Sequence, residues 1–175
     1  RDSGTKIMVT LDLALTFDKV EAMLRRGVLE KAVVASFPAL LPKLKSVGFK
    51  LLQRTKLADP AASPAKDRIV AERALLANDG RYARPALTPD AVAVLQYTGG
   101  TTGTPKGAML THANLTINVQ QVMLWQNRAS TEHDRILGIL PLFHVFAMTV
   151  VMNLSIARGI EMLLMPKFDL IETLK

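Results

Sequence analysis

The residues with the clearest chemical potential form one run, Thr98-Gly99-Gly100-Thr101-Thr102-Gly103-Thr104-Pro105-Lys106-Gly107. Its four glycines permit backbone angles that bulkier residues resist. They also allow main-chain N–H groups to approach phosphate oxygens closely. The hydroxyls of Thr98, Thr101, Thr102 and Thr104 add side-chain donors. Lys106 adds a compact positive charge on a flexible stem, suited to terminal phosphates. Together these groups match the needs of a triphosphate. In the common phosphate loop, Lys follows Gly and precedes Ser or Thr, whereas Lys106 follows Pro105 and precedes Gly107. The ordinary ATPase or GTPase reading therefore fails on spacing.

Histidines supply the other candidates. His144 follows a strand-like run and Pro141, a position from which imidazole can meet a carboxylate or phosphate at the ligand-bearing edge of a parallel sheet. On residue type alone, a core histidine bonded to backbone is the commoner situation. His112, near a helix start, is a weaker candidate for loop support. His133, between Glu132 and Asp134, reads as a surface residue.

Elements must hold these groups in place. Lys6–Leu11 and Lys31–Phe37 read as strands flanking a helix capped by Thr16, with Phe17, Val20 and Leu24 on its apolar face and Gly27 as its stop. This pattern predicts an α/β fold with a parallel sheet. Residues 59–90 read as a linker region with a short helical pattern at Ile69–Leu76 and a turn at Asn78-Asp79-Gly80. Ala91–Tyr97 reads as a buried strand leading into the Gly/Thr run. Thr111 then caps a helix with Leu115, Val119 and Val122 on one face. Arg135–Leu140 and Ile160–Met165 read as further strands around a buried helix at Phe143–Ala157. A last helix starts at Asp169. The expected organisation is 1–58, a strand–helix–strand plus a basic amphipathic segment; 59–90, linker; and 91–175, the loop-bearing α/β part.

Composition narrows the classes. The chain has 175 residues, 49% hydrophobic and 21% charged, with a formal net charge of +7. That balance is globular, and its basic excess suits anionic partners such as nucleotide phosphates or anionic lipid. Aromatics make up 5% and do not interleave with the basic residues, so no nucleic-acid platform is expected. Cysteine is absent, which excludes disulfides and thiol chemistry and fits a reducing compartment. The most apolar stretch, Leu137 to Ala157, is interrupted by Pro141, His144, Thr149, Asn153 and Ser155. It reads as a buried strand and helix, not a membrane span. Starting at Arg1 and ending at Lys175 within a helical pattern, the chain is expected to be a segment of something longer.

The run from Leu95 to Gly107 resembles the phosphate-binding signature of the adenylate-forming, or acyl-activating, superfamily. The longer run Gln96–Leu115, together with Tyr82–Pro89 and Leu140–Ala147, resembles bacterial long-chain fatty acid–CoA ligases. The resemblance implies a segment of the large N-terminal α/β domain of such an enzyme, without its C-terminal lid. It implies ATP and Mg²⁺ as cofactors, coenzyme A as co-substrate and a two-step reaction through acyl-AMP. Thr98, Gly99, Gly100, Thr101, Thr102, Gly103, Thr104 and Lys106 would hold the β- and γ-phosphates, and His144 would sit near the acyl carboxylate and α-phosphate. The resemblance assigns no metal ligand here. It also implies that an Mg²⁺-binding Glu, the adenine pocket and a second catalytic lysine lie outside these residues. Another adenylating enzyme, such as a fatty acyl-AMP ligase or a peptide-synthetase adenylation domain, shares the loop. A non-catalytic nucleotide-binding or membrane-associated module is the alternative from a different class.

One segment stands apart. Residues 38–58 contain no acidic residue and carry Lys43, Lys45, Lys50, Arg54 and Lys56 among leucines. Wound as a helix over 40–56, with Pro42 in its first turn, they place Leu41, Leu44, Leu51 and Leu52 on one side and the basic residues on its flanks. Such a stripe suits the headgroup boundary of an anionic membrane. It also suits packing against another part of a larger protein, the commoner role of an amphipathic helix. The expected location is cytoplasmic, with peripheral contact on the inner membrane. Oligomeric state is not legible from the sequence.

Overall fold

The computed structural model describes residues 3–98, 106–126, 134–165 and 170–173. It is an α/β structure that divides into two compact units, Arg1–Arg84 and Pro85–Lys175.

In the first unit, β1 (Ile7–Leu11), β2 (Lys31–Ala35) and β3 (Ile69–Ala71) form a parallel sheet in that order. Val9 pairs with Val33, and Val33 with Val70. The crossover from β1 to β2 is α1 (Ala14–Arg25), which buries Phe17, Val20 and Leu24 as their spacing predicts. Gly27, at φ +68°, ends the turn that follows, in a left-handed conformation that costs glycine little. The start differs from expectation. Leu13, in extended conformation, is the cap, and the Phe17 N–H donates to its carbonyl at 2.8 Å. Thr16 lies inside the first turn, where its hydroxyl donates to the Leu13 carbonyl at 3.1 Å.

The expected linker contributes to this core. Ala65 is buried with Val20, Leu24, Leu29 and Ala32. Ser63 is also buried, and its Oγ accepts the Ala65 N–H at 3.1 Å. Ile69–Ala71 is a strand, not the start of a helix, because its β-branched residues pair with β2. Helix α3 is confined to Glu72–Leu76. At the predicted turn, Asn78 Oδ1 accepts the Gly80 N–H at 2.8 Å.

The basic segment forms α2 (Lys43–Leu52), capped by Pro42. Leu41 precedes this helix and Arg54 and Lys56 follow it in a 3-10 turn, so the predicted helix is too long at both ends. Phe49 meets Phe37 edge to face, with ring centroids 5.0 Å apart.

In the second unit, β4 (Val92–Thr98) pairs antiparallel with β5 (Lys106–Thr111). Next comes α4 (His112–Gln126). Strands β6 (Arg135–Gly138) and β7 (Glu161–Leu164) pair in parallel. The chain between them is π-helical over Ala147–Asn153 and continues as α5 (Leu154–Arg158). The Leu154 N–H reaches the Thr149 carbonyl, five residues back, which marks the wider turn. Gly159 ends α5 at φ +68°. A short α6 (Leu170–Thr173) follows.

The expectation of a helix buried nearly all round is corrected. Ala147, Met148, Val151, Leu154 and Ser155 are buried, but Phe146 and Ile156 are 56% and 70% exposed. One face packs toward β6, where a Cβ on Gly138 would meet Leu164 Cδ2 at 2.8 Å and Val151 Cγ1 at 3.1 Å. That close approach explains a glycine in the strand. Among the described residues no helix is long and apolar enough to cross a membrane.

Candidate functional site

The site grows from the β4–β5 pair. Thr98 and Lys106 are register partners, as are Tyr97 and Gly107, and Gln96 and Ala108. Residues 99–105 therefore join two strand ends that lie side by side. Gly99, Gly100, Thr101, Thr102, Gly103 and Thr104 fall outside the described residues, as does His133. Lys106 is exposed at the start of β5. Among the described residues no carboxylate pairs with it.

This arrangement corrects two expectations. The strand entering the loop belongs to an antiparallel pair and not to a parallel sheet. It is also not fully buried, since Val92, Leu95 and Tyr97 are 51%, 38% and 39% exposed. The residues immediately after the loop form a strand because Gly107 leaves room for the facing ring. A Cβ there would come within 3.2 Å of Tyr97 Cζ. A glycine covered by a cross-strand aromatic is a stable pairing.

The end of β5 turns directly into α4. Asn114 Nα–H donates to Thr111 Oγ1 at 3.2 Å, and the Thr111 N–H donates to Asn114 Oδ1 at 3.0 Å. This reciprocal cap satisfies two donors that a helix start would otherwise leave free. Thr111 is thus the cap that the sequence predicts, and Asn114 is its unpredicted partner. His112 opens α4 in a structural setting. Its N–H donates to the Ala91 carbonyl at 3.1 Å, and its own carbonyl accepts the Thr116 hydroxyl at 2.8 Å.

His144 sits in the turn between β6 and the π-helical segment, and it is exposed. Its N–H donates to the Pro141 carbonyl at 2.8 Å, and its carbonyl accepts the Met148 N–H at 2.9 Å. The Phe146 N–H donates to His144 Nδ1 at 3.3 Å. In a neutral imidazole, an Nδ1 that accepts an N–H leaves the ring proton on Nε2. His144 is therefore an exposed ring held at Nδ1 rather than a core histidine.

Gln96 joins the two halves of the site. Its Nε2 donates to the carbonyl of Phe143, the residue before His144, at 3.1 Å. Its sequence signal is a single amide within the strand run Ala91–Tyr97, directly after the apolar residues Ala91–Leu95. A groove of about 490 Å³ lies between α4 and the helical segment, lined by Leu115, Val119, Met123 and Ile156 among others. Neither Lys106 nor His144 lines it. Among the described residues no group of three or more His, Asp or Glu side chains gathers to hold a metal ion.

A family model described as "AMP-binding enzyme" matches residues 1–175. The chain belongs to the AMP-binding enzyme family. Among members of this family, the long-chain-fatty-acid–CoA ligase of Bacillus subtilis (strain 168) is 38% identical over 176 residues, covering 100% of this chain and 31% of the relative. The 4-coumarate–CoA ligase 1 of Arabidopsis thaliana is 42% identical over 86 residues, 48% of this chain and 15% of that enzyme. The chain thus spans less than a third of the length of these relatives. The ATP-bound structure of MatB from Rhodopseudomonas palustris shares the fold, with a TM-score of 0.56 at 21% identity, covering 98% of this chain and 37% of that one. The AMP-binding assignment agrees with the resemblance carried by the Gly/Thr run. It reaches residues 1–90 as well, where the sequence offers no chemical motif.

Proposed function

We propose that this chain supplies the phosphate-binding part of an enzyme that activates a long-chain fatty acid with ATP and transfers the acyl group to coenzyme A. The observation that carries the reading is the side-by-side closure of Thr98 and Lys106 around residues 99–105. It anchors a glycine- and threonine-rich run at both ends and sets an ammonium at its exit that pairs with no carboxylate among the described residues. In the first step a carboxylate oxygen attacks the α-phosphorus of ATP, the bond to the bridging oxygen breaks, and pyrophosphate leaves. Charge then builds on the β- and γ-phosphates. Loop N–H groups, threonine hydroxyls and Lys106 are the groups suited to balance it. The Nε2–H of His144 is suited to donate to the carboxylate or to an α-phosphate oxygen. In the second step the coenzyme A thiol displaces AMP, and no residue of this chain is assigned to it. Mg²⁺ would neutralise phosphate charge, and it commonly binds through substrate phosphates with few protein ligands. No step is assigned to it here.

The fatty-acid preference is supported by the relative that matches the whole chain, whose activity is on long-chain fatty acids. The 4-coumarate ligase matches about half of it. The test is carboxylate-dependent ATP–pyrophosphate exchange by the full-length enzyme. Lys106→Ala should slow exchange by at least about tenfold, the cost of one charged phosphate contact. Unchanged exchange would remove Lys106 from the site. A preference for an aromatic acid would replace the fatty-acid reading, and exchange without CoA-dependent AMP release would point to an acyl-AMP ligase.

We also propose that α2 rests on an anionic membrane. Leu44, Leu51 and Leu52 are 87%, 76% and 82% exposed, because Phe49 anchors the opposite face of the helix on Phe37. Lys43, Lys45 and Lys50 flank the leucines, with Arg54 and Lys56 just beyond. Each basic group near such a surface contributes on the order of 1 kcal/mol. That would place the enzyme on the cytoplasmic face of the inner membrane, where a fatty acid arrives. Co-sedimentation with phosphatidylglycerol vesicles should fall when Lys43, Lys50 and Arg54 are changed to Glu. Equal binding by both forms, or by neither, would assign the stripe to contact with another part of the enzyme.

A further inference from the structure

We infer that Gln96 is a positioning residue that couples the phosphate-loop strands to His144. This inference rests on the function proposed above. The side chain leaves β4 two residues before Thr98 and reaches 47 positions along the chain to the Phe143 carbonyl, at 3.1 Å. It is half-buried and follows the apolar residues Val92–Leu95 of the strand. Its second contact, to the Tyr97 carbonyl, is longer at 3.5 Å. The turn it grips is held internally by short backbone bonds, His144 to Pro141 and Met148 to His144. The same turn presents Nδ1 of His144 to the Phe146 N–H. Those bonds fix the shape of the turn but not its position relative to β4. The Gln96 amide ties β4 to this turn directly, by its bond to the Phe143 carbonyl.

The chemistry needs that distance fixed. The loop handles the outer phosphates, whereas the imidazole is suited to the carboxylate and α-phosphate. In-line attack requires both to be set together, and small misplacements are costly. Gln96 supplies the tie as a neutral donor. A carboxylate in its place would repel the Phe143 carbonyl, and an apolar side chain would fill the space without gripping.

The test is a double-mutant cycle in the full-length enzyme, read by pyrophosphate exchange. Gln96→Met keeps the length of the side chain and removes the donor. It should lower kcat by about fivefold, the effect of one hydrogen bond, with KM for ATP changed by less than about twofold. In a His144→Ala background the same change should cost nothing more, because the two residues act as a unit. A purely structural role would instead give a loss that persists without His144, and that result, or wild-type activity in Gln96→Met, overturns the inference. Lys106→Ala in the same assay keeps the proposed function separately testable: a loss there with no effect of Gln96→Met sinks the coupling alone. A second measurement is independent of any substrate. In Gln96→Met the His144 and Met148 amides should exchange hydrogen several-fold faster, and unchanged exchange would show that the bond does not hold the turn.

Discussion

The two units are held together by different means. In Arg1–Arg84 the parallel sheet and α1 close around apolar side chains, with Leu24 and Ala32 fully buried and Ala65 drawn in from a stretch that reads as linker. In Pro85–Lys175, which also buries Val119, Ala147, Met148, Val151 and Leu154, the elements around the proposed site are tied by hydrogen bonds at named atoms. These are the Thr111–Asn114 cap, the Gln96–Phe143 bond and the Phe146–His144 bond. Apolar packing is non-directional and tolerates approximate placement. A reacting group needs direction, which hydrogen bonds supply. The contrast therefore divides scaffold from site, although both units belong to one family match.

Three measurements can break or sharpen this contrast. The largest effect is expected in the scaffold. Leu24→Ala should cost about 2–5 kcal/mol, seen as loss of hydrogen-exchange protection at the β2 amides of Ala32 to Ala35. Protection close to wild type would mean that the first unit does not depend on its apolar core. An intermediate effect is expected at the site. Thr111→Ala should cost about 1 kcal/mol, speeding exchange of the Asn114 amide about fivefold while leaving β2 unchanged. If β2 loosened as well, the two units would not be separable in this way.

The smallest effect belongs to the exposed pair Lys6–Glu30, whose Nζ and Oε1 are 2.6 Å apart. The hydrogen bond and charge of Lys6 hold the Glu30 carboxyl below its ordinary range. Glu30 in turn raises Lys6. A lowered carboxyl stabilises above its unfolded value and loses that contribution as pH falls through its folded one. A raised amine does so below its unfolded value and loses it as pH climbs through its folded one. The pair should therefore contribute between about pH 4 and pH 10.4 and fade outside that window. Exposure and salt keep the effect slight. Glu30→Gln should flatten the acid side of the pH–stability curve in low salt, and a flattening that survives 1 M salt would require another source.

Much of the scaffold was written in local sequence. The spacing of Phe17, Val20 and Leu24, the β-branched run at Val33 and Val34 and the glycines at 27 and 159 act within a few residues, so periodicity and backbone sterics determine them. Thr111 as a helix cap and the Gly/Thr run with Lys106 were legible for the same reason, and the family match agrees with that run. What tertiary structure decided was partnership. Lys106–Thr111 became a strand because β4 lies beside it and Tyr97 covers Gly107. Ile69–Ala71 became one because β2 offered an edge. Ala65 became core because α1 and β2 left room for a small side chain. The Leu44–Leu52 stripe stayed open because Phe49 claimed the inner face of α2. The Gln96 amide found its partner in a carbonyl 47 residues away. No local pattern encodes such a contact, because a side-chain amide has the same propensity whether or not a partner stands 3 Å from it in the fold.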